Sequence, residues 1–423
     1  MQNRSEPRRY YAKNPQGYPS AVDHTEVDSV ALARRRPVYD RAGAVVGYEL
    51  WFGGPGSAAE ETLTRALAGA GLRALTGDRL RLLALPAGMA VPVPPGAAVL
   101  VVPAGGPAEG LAARGHRVAV GPDGPLDVAS YVRLDLAAVR PERVGAAVDR
   151  VRRYPHLAII AAELGGRAHL AQARRLGCEL FSGPVLAQPG TPGAPLSPAR
   201  LRRVELIAAL AGGDLRLDEI LATATRDPAV AYRLQRAAGA VAAPDPVEVS
   251  PGPVAVPDPV VVSLGPDRLG AWLALILLQD ATGADEGQLS AALTRARFCQ
   301  LGAVLAALPG AGAPGDPAFT AGLLTGVAEI VGRPVADLVD GLPLPGDVAD
   351  ALRGRAGPIG AILDAVLAYE AGDADGVRAA TVPSDGLTRA YLDAAAWALA
   401  AVDAVAVPPG RAQPVPNVGS FSR

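Results

Sequence analysis

Lysine is nearly missing from this chain: 39 of its 40 basic residues are arginine and only Lys13 is lysine. That bias reads as G+C-rich coding rather than a functional choice of guanidinium. With 42 acidic residues the formal charge is -2, so the sequence lacks the basic face that nucleic-acid binding calls for. Aromatic residues make up only 4%, which leaves the core to Leu, Val and Ala. There are two cysteines, Cys178 and Cys299, far apart and each without a nearby Cys or His. Neither a CxxC metal site nor a disulfide framework follows, and a reducing, cytoplasmic setting is expected. Long hydrophobic runs are missing as well. The densest, "LGAWLALILL" at 269–278, is half a membrane span. The opening "MQNRSEPRRYYAKNPQGYPSAVDHTEVDS" has no apolar core of a signal peptide. A soluble protein is expected.

Glycine and proline, by contrast, are plentiful at 49 and 40 residues, and they punctuate the chain. Length alone suggests two domains. Residues 1–29 are polar, aperiodic and rich in Arg, Pro and Tyr, and residues 406–423 have the same character; both read as disordered arms. The stretch "AQPGTPGAPLSP" at 187–198 reads as the main boundary, with a linker over 191–199. Before it, β-like runs alternate with helical ones: "VVGYELW", "LRLLAL", "AAVLVV", "RVAV", "YVRL", "LAIIAA" and "ELF", with amphipathic stretches at 57–75, 141–153 and 167–176. The alternation predicts a parallel sheet closed, or nearly closed, into a (β/α) barrel over 30–190. A full eight-fold barrel takes about 250 residues, so some helices or one strand pair should be short or absent. After the boundary, helical periodicity dominates residues 200–405, as in "QLSAALTRARFCQLGAVLAAL" and "GAILDAVLAYEAG", which predicts an all-α bundle. The fold class expected is therefore α/β plus all-α. Asp227-Pro228 reads as a helix start and 244–259 as a long Pro-rich loop.

The order of these features carries a resemblance. "ARRRPVYDRAGAVVGYELWF" resembles the opening of bacterial EAL-domain proteins of the EAL-HDOD type, where a "GYELLFR"-like strand begins the barrel. "TRDPAVAYRLQRAAGAV", "VVSLGPDRLGAWLALILLQ" and the later helical stretches are similar, in order, to an HDOD domain. The resemblance covers roughly residues 30–400. It implies a (β/α)₈-like barrel that, in active members, hydrolyses cyclic di-GMP with two divalent cations, held by acidic residues and an Asn, and a Lys near the attacking water. Two-metal hydrolysis needs such a set because the ions activate water and steady both oxygens of an in-line displacement.

Carried over position by position, that set is nearly empty here. Glu49 keeps the motif acid, but Gly53 stands where the motif has Arg. Ala84 falls at the Asn position and Val101 at a Glu position. Gly121 and Pro122 replace an Asp-Asp pair, with Asp123 displaced. Arg133 replaces Lys, while Asp135 is retained. Ala162 and Gly165 occupy two acid positions, and Glu163 is out of phase by one, which in a strand turns a side chain to the opposite face. Ser182 replaces Gln. Glu49 and Asp135 alone cannot hold two hard cations, so they read as remnants, and no catalytic, cofactor-binding or metal-binding residue is expected. All four histidines (His24, His116, His156, His169) precede residue 197, so the helical half has no imidazole for HD-type hydrolysis.

The reading that results is a catalytically inactive signalling scaffold acting through protein partners, chiefly by its helical domain. The alternatives are a non-hydrolysing receptor for cyclic di-GMP or another nucleotide and, last, a live phosphodiesterase. Arg34, Arg35 and Arg36 read as a solvated charge run preceding the first strand, with a phosphate grip as the other option. Cys299 reads as a small core residue. Trp51, Trp272 and Trp397 read as packing anchors.

Overall fold

The computed structural model describes residues 32–53, 62–64, 66, 71–84, 93–136, 138–139, 141–184, 204, 207–208, 277–279, 283–312, 316–340, 342 and 344–405. The expected arms, the 187–198 boundary, Asp227-Pro228, the 244–259 loop and Trp272 lie outside them. Eight strands form a closed barrel in sequence order. They are β1 (Leu32–Tyr39), β2 (Val45–Gly53), β3 (Leu80–Ala84), β4 (Val99–Val101), β5 (Arg117–Val120), β6 (Tyr131–Asp135), β7 (Ala158–Ala162) and β8 (Leu180–Phe181). β2 pairs with β3, and β4 through β8 pair with one another, in parallel, whereas β1 runs antiparallel to β8 where Tyr39 meets Phe181. The economy expected from the short segment is real but falls on lengths rather than on strand number. A turn at Asp40–Ala44 joins β1 to β2 without a helix, β8 has two residues, and a single 3₁₀ turn (Leu126–Val128) links β5 to β6.

Helices α1 (Gly71–Thr76), α2 (Ala108–Ala113), α3 (Pro141–Val151) and α4 (Arg167–Arg175) alternate with the strands. Beyond them the described chain is helical: α5 (Glu286–Leu305), α6 (Pro317–Val331), α7 (Val335–Val339), α8 (Gly346–Gly354), α9 (Gly357–Ala371), α10 (Ala374–Ala379) and α11 (Ser384–Val405). Among the described residues no helix is long and apolar enough to cross a membrane.

The chain divides into two compact units, and the division does not follow the change from α/β to all-α. One unit takes Arg36–Val46 and Val93–Ala187. The other takes Asp28–Arg35, Gly47–Pro92 and Gln188–Arg423, so that the first half of β1, most of β2, β3 and α1 belong with the helices.

In the second unit, α5 starts at a reciprocal cap: Asp285 accepts from Gln288 N at 2.9 Å, and Gln288 Oε1 accepts from Asp285 N at 3.0 Å. Close packing of α5 on α6 requires Gly322 and Gly326, one turn apart. A Cβ at either would lie within 3 Å of Ala296 or Ala292. Beside them Phe298, Tyr369 and Tyr391 form an aromatic cluster with ring centroids 5.1 to 5.7 Å apart, an arrangement that adds about 1 kcal/mol per pair beyond area burial. Cys299 is buried against Gly322 of α6, as expected of a core thiol.

The arginine run is neither solvated nor ahead of the first strand; it lies inside β1. Arg35 N donates to Tyr391 OH at 2.8 Å. Its guanidinium donates to Ser290 Oγ at 2.7 Å and Ala395 O at 2.9 Å and lies 4.8 Å from the Tyr48 ring centre. Arg34 donates to Glu370 O at 2.5 Å, and the Tyr369 hydroxyl accepts from Ala33 N and donates to Ala33 O. The physical reason is desolvation: half-buried guanidinium groups need acceptors, and helix carbonyls and hydroxyls supply them.

Candidate functional site

Parallel barrels carry their chemistry at the carboxyl ends of the strands. In the first unit Arg133 of β6 meets Glu163, one residue past β7, while Asp135 is the last residue of β6. In register, Arg133 lies opposite Ile160 and Asp135 opposite Ala162. Strict alternation would then turn residue 163 to the other face. Glu163 escapes that rule because its φ is 53°, in the left-handed region. A non-glycine residue there costs about 1–2 kcal/mol, and the side chain it redirects is held firmly. Glu163 Oε1 lies 2.9 Å from Arg36 Nη1 and 2.8 Å from Arg133 Nη2. The strand β8 stands between β1, which carries Arg36, and β7, so the three side chains share one face of the sheet. Glu163 is 7% exposed, and its Oε2 is buried without a hydrogen-bond partner. The sequence-based expectation that Glu163 points away is therefore corrected.

The local backbone shows why the strand end is so tight. Leu164 N donates to Ser182 O at 3.2 Å, and a Cβ on Gly183 (φ 152°) would come within 2.2 Å of Leu164 N. Ser182, at the position where the resemblance implies Gln, is fully buried. Asp135 is half-buried and its Oδ1 accepts from Ala138 N at 3.1 Å, the role of a turn cap.

Glu49 belongs to the second unit, opposite Leu82 in register, and is 1% exposed. Two residues on, the Trp51 indole lies where a side chain on Gly53 would begin: a Cβ there would be 1.8 Å from the ring. The arginine that the motif implies at 53 is thus sterically displaced. On β2, Tyr48 engages the helices: its hydroxyl donates to Glu286 Oε1 at 3.3 Å, and Arg79 bridges Glu286 at 2.7 Å and Asp403 at 2.6 Å. Burial pushes the Tyr48 phenol up to about 12. It also raises the Glu286 carboxyl above its usual range, despite the Arg79 guanidinium.

Of the positions at which the family motif would place ligands, Ala84, Val101 and Ala162 are the last residues of β3, β4 and β7, and Gly121 follows β5 directly. They stand at strand ends, but none carries a donor atom in its side chain. Among the described residues no three His, Cys, Asp or Glu side chains converge in a way that could hold a metal ion. What the strand-end cluster offers instead is two permanent positive charges around one carboxylate. Guanidinium stays protonated in proteins and cannot serve as a base.

No protein-family model and no curated protein matches this chain. Among solved structures, a standalone EAL protein from Vibrio cholerae O395 in its c-di-GMP-bound form is similar over 37% of this chain and 91% of its own, at 14% identity and TM-score 0.28. The Bacillus subtilis YkuI protein, with an EAL domain and in complex with c-di-GMP and calcium, is similar over 56% of this chain and 71% of its own, at 17% identity and TM-score 0.31. Similarity at that level carries no argument of its own about activity.

Proposed function

We propose that the chain is a catalytically inactive signalling scaffold of EAL-HDOD type, acting through protein-protein contacts made chiefly by its helical domain. In this reading residues 30–190 are a degenerate EAL barrel, 200–405 an HDOD-type bundle joined by a 191–199 linker, and 1–29 and 406–423 arms. It works in the cytoplasm without metal or cofactor. The observation that carries the reading is the Arg36–Glu163–Arg133 triad. Among the described residues, the one carboxylate that the first unit buries at its strand ends is committed to two guanidinium groups, while Val101, Gly121, Pro122, Ala162 and Gly165 stand at other acid positions of the motif. Two hard cations need several converging oxygens, and this set leaves a single unpartnered one, Glu163 Oε2. Glu49 and Asp135 remain as remnants of the motif.

A second reading is favoured by the same arginines: a receptor that binds cyclic di-GMP without hydrolysing it, since guanidinium forks suit phosphate. Isothermal titration of the full chain with cyclic di-GMP, with and without Mg²⁺, separates the two. The scaffold predicts no heat of binding at micromolar ligand. Saturable binding lost in Arg133→Ala would replace the scaffold with the receptor.

A further inference from the structure

The proposed scaffold needs a surface, and the second unit has a cleft of about 360 Å³ where α5 ends, α6 begins and α8 passes to α9. Its walls are apolar, among them Ala303, Leu308, Ala311, Ala318, Pro358 and Ile359. Beside the cleft but outside its lining, Val304 and Leu305 follow Ala303 and are 48% and 45% exposed, Leu305 lying toward Gly386 of α11. They are two of the three large hydrophobic side chains that the described residues leave in solvent. Val304 flanks the 306–312 turn, its Cγ2 being 3.2 Å from where a Cβ of Gly312 would stand.

The charged groups lining the cleft are all aspartates. Asp316 is spent within the fold, accepting from Ala318 N at 2.8 Å and Gly312 N at 2.6 Å. Asp347 and Asp350, in the first turns of α8, are exposed at the mouth. Donors are scarce, because Pro309, Pro317 and Pro358 have no N–H. The cleft thus presents apolar walls and carboxylate acceptors.

The backbone around it departs from the pattern of its own unit. α6 and α9 close with glycine in the left-handed region, at Gly332 and Gly372. The two helices whose ends lead into the cleft do so with Ala307 (φ 52°) and Arg355 (φ 55°). At the first, Leu308 N donates to Ala303 O and Ala307 N to Val304 O, the double-bonded reversal that normally takes glycine. Strain of this kind gathers at ligand clamps.

We infer that this cleft, with Val304 and Leu305, is the docking site for a basic amphipathic helical segment of a partner protein. Aliphatic side chains at i, i+3 and i+4 enter the cleft and cover Val304 and Leu305, while flanking Lys or Arg meet Asp347 and Asp350. Charge complementarity selects this occupant: an acidic segment would meet only carboxylates. The inference rests on the scaffold reading and names its surface.

Fluorescence anisotropy of the full chain at 150 mM salt tests it with three labelled 14-residue peptides. One is Leu/Lys with leucines at helical spacing, one is Leu/Glu of the same pattern, and one is Lys/Ser without apolar anchors. The Leu/Lys peptide should bind at least tenfold more tightly than either of the others. Val304→Ser with Leu305→Ser should weaken it at least tenfold, and Asp347→Asn with Asp350→Asn about threefold with a flatter salt dependence. All four side chains are exposed, so melting temperatures should fall by no more than a few degrees, the fall coming from the charge that Asp347 gives up at the α8 N-terminus. Absent binding, equal binding of Leu/Glu, or undiminished binding by the serine variant overturns the surface. Those outcomes leave the inactive-scaffold reading standing. Hydrolysis of cyclic di-GMP would sink that reading without touching this surface.

Discussion

Two charge triads of opposite composition distinguish the two units. In the first, two arginines hold one glutamate, Arg36–Glu163–Arg133, at strand ends. In the second, one arginine lies between two glutamates. Arg295 is 2.7 Å from Glu370 and 2.9 Å from Glu329, in the core between α5, α6 and α9. The helical triad is a packing device built on its arginine: the Arg295 side chain is 10% exposed and Glu370 22%, and burial raises the Glu370 carboxyl above its ordinary range even beside its partner. The strand-end triad keeps both guanidinium groups about a fifth exposed, uses a strained backbone and leaves a buried oxygen unpartnered. A fold accepts such costs where a site is or was. The difference teaches that a charge triad can sit on unstrained helices in one unit and on a strained strand end in the other.

The largest expected effect breaks the helical triad. Arg295→Met leaves the part-buried Glu370 without its counter-charge and should lower stability by about 2–3 kcal/mol in urea unfolding, with the Arg295→Met/Glu370→Met pair recovering most of it. The corresponding Arg133→Met should cost only about 1 kcal/mol, because Arg36 remains and solvent screens the pair. Equal losses would erase the distinction.

Alkaline pH should act on the second unit next. An unfolded tyrosine ionises near pH 10, whereas Tyr48 in the folded chain does so at about 12. Its contribution is therefore complete below pH 10 and is lost as pH rises through 12. The loss should amount to roughly 2 kcal/mol. Stability measured across pH 9–12 should fall less steeply in Tyr48→Phe; identical slopes would contradict the assignment.

Glu163→Gln leaves two guanidinium groups facing each other and should cost about 1 kcal/mol. A stabilised Gln variant would mean that the triad does not hold the strand ends. Smallest of all, Ala307→Gly relieves a left-handed alanine and should raise stability by roughly 0.5–1 kcal/mol, visible as a small rise in Tm. A fall would place the strain elsewhere.

The sequence made most of the barrel legible because β2 to β7 fall in apolar-rich runs, while β8, two residues long, shows only within "ELF". β1 escaped because "LARRRPVY" puts three arginines in a strand, and Arg35 finds Ser290, Thr294 and Tyr391 more than 250 positions downstream. Hydrophobic periodicity carries no trace of such partners. Glu163 was misplaced for a local reason: period-two alternation fails at a positive φ, and a glutamate gives no hint of one where glycine would. The stacking of Trp51 over Gly53 was equally hidden, although an aromatic two residues before a glycine that replaces a motif arginine is a signal that could have raised it. That positions 84, 101, 121 and 162 stand at strand ends was legible because the apolar runs located those ends.

Incubation of the full chain with cyclic di-GMP in Mg²⁺ or Mn²⁺, followed by quantitation of the linear dinucleotide, bears most directly on the claim that the barrel has no chemistry left. The account predicts no product above a protein-free blank. Product that forms with the wild-type chain and vanishes in Glu49→Ala would contradict it.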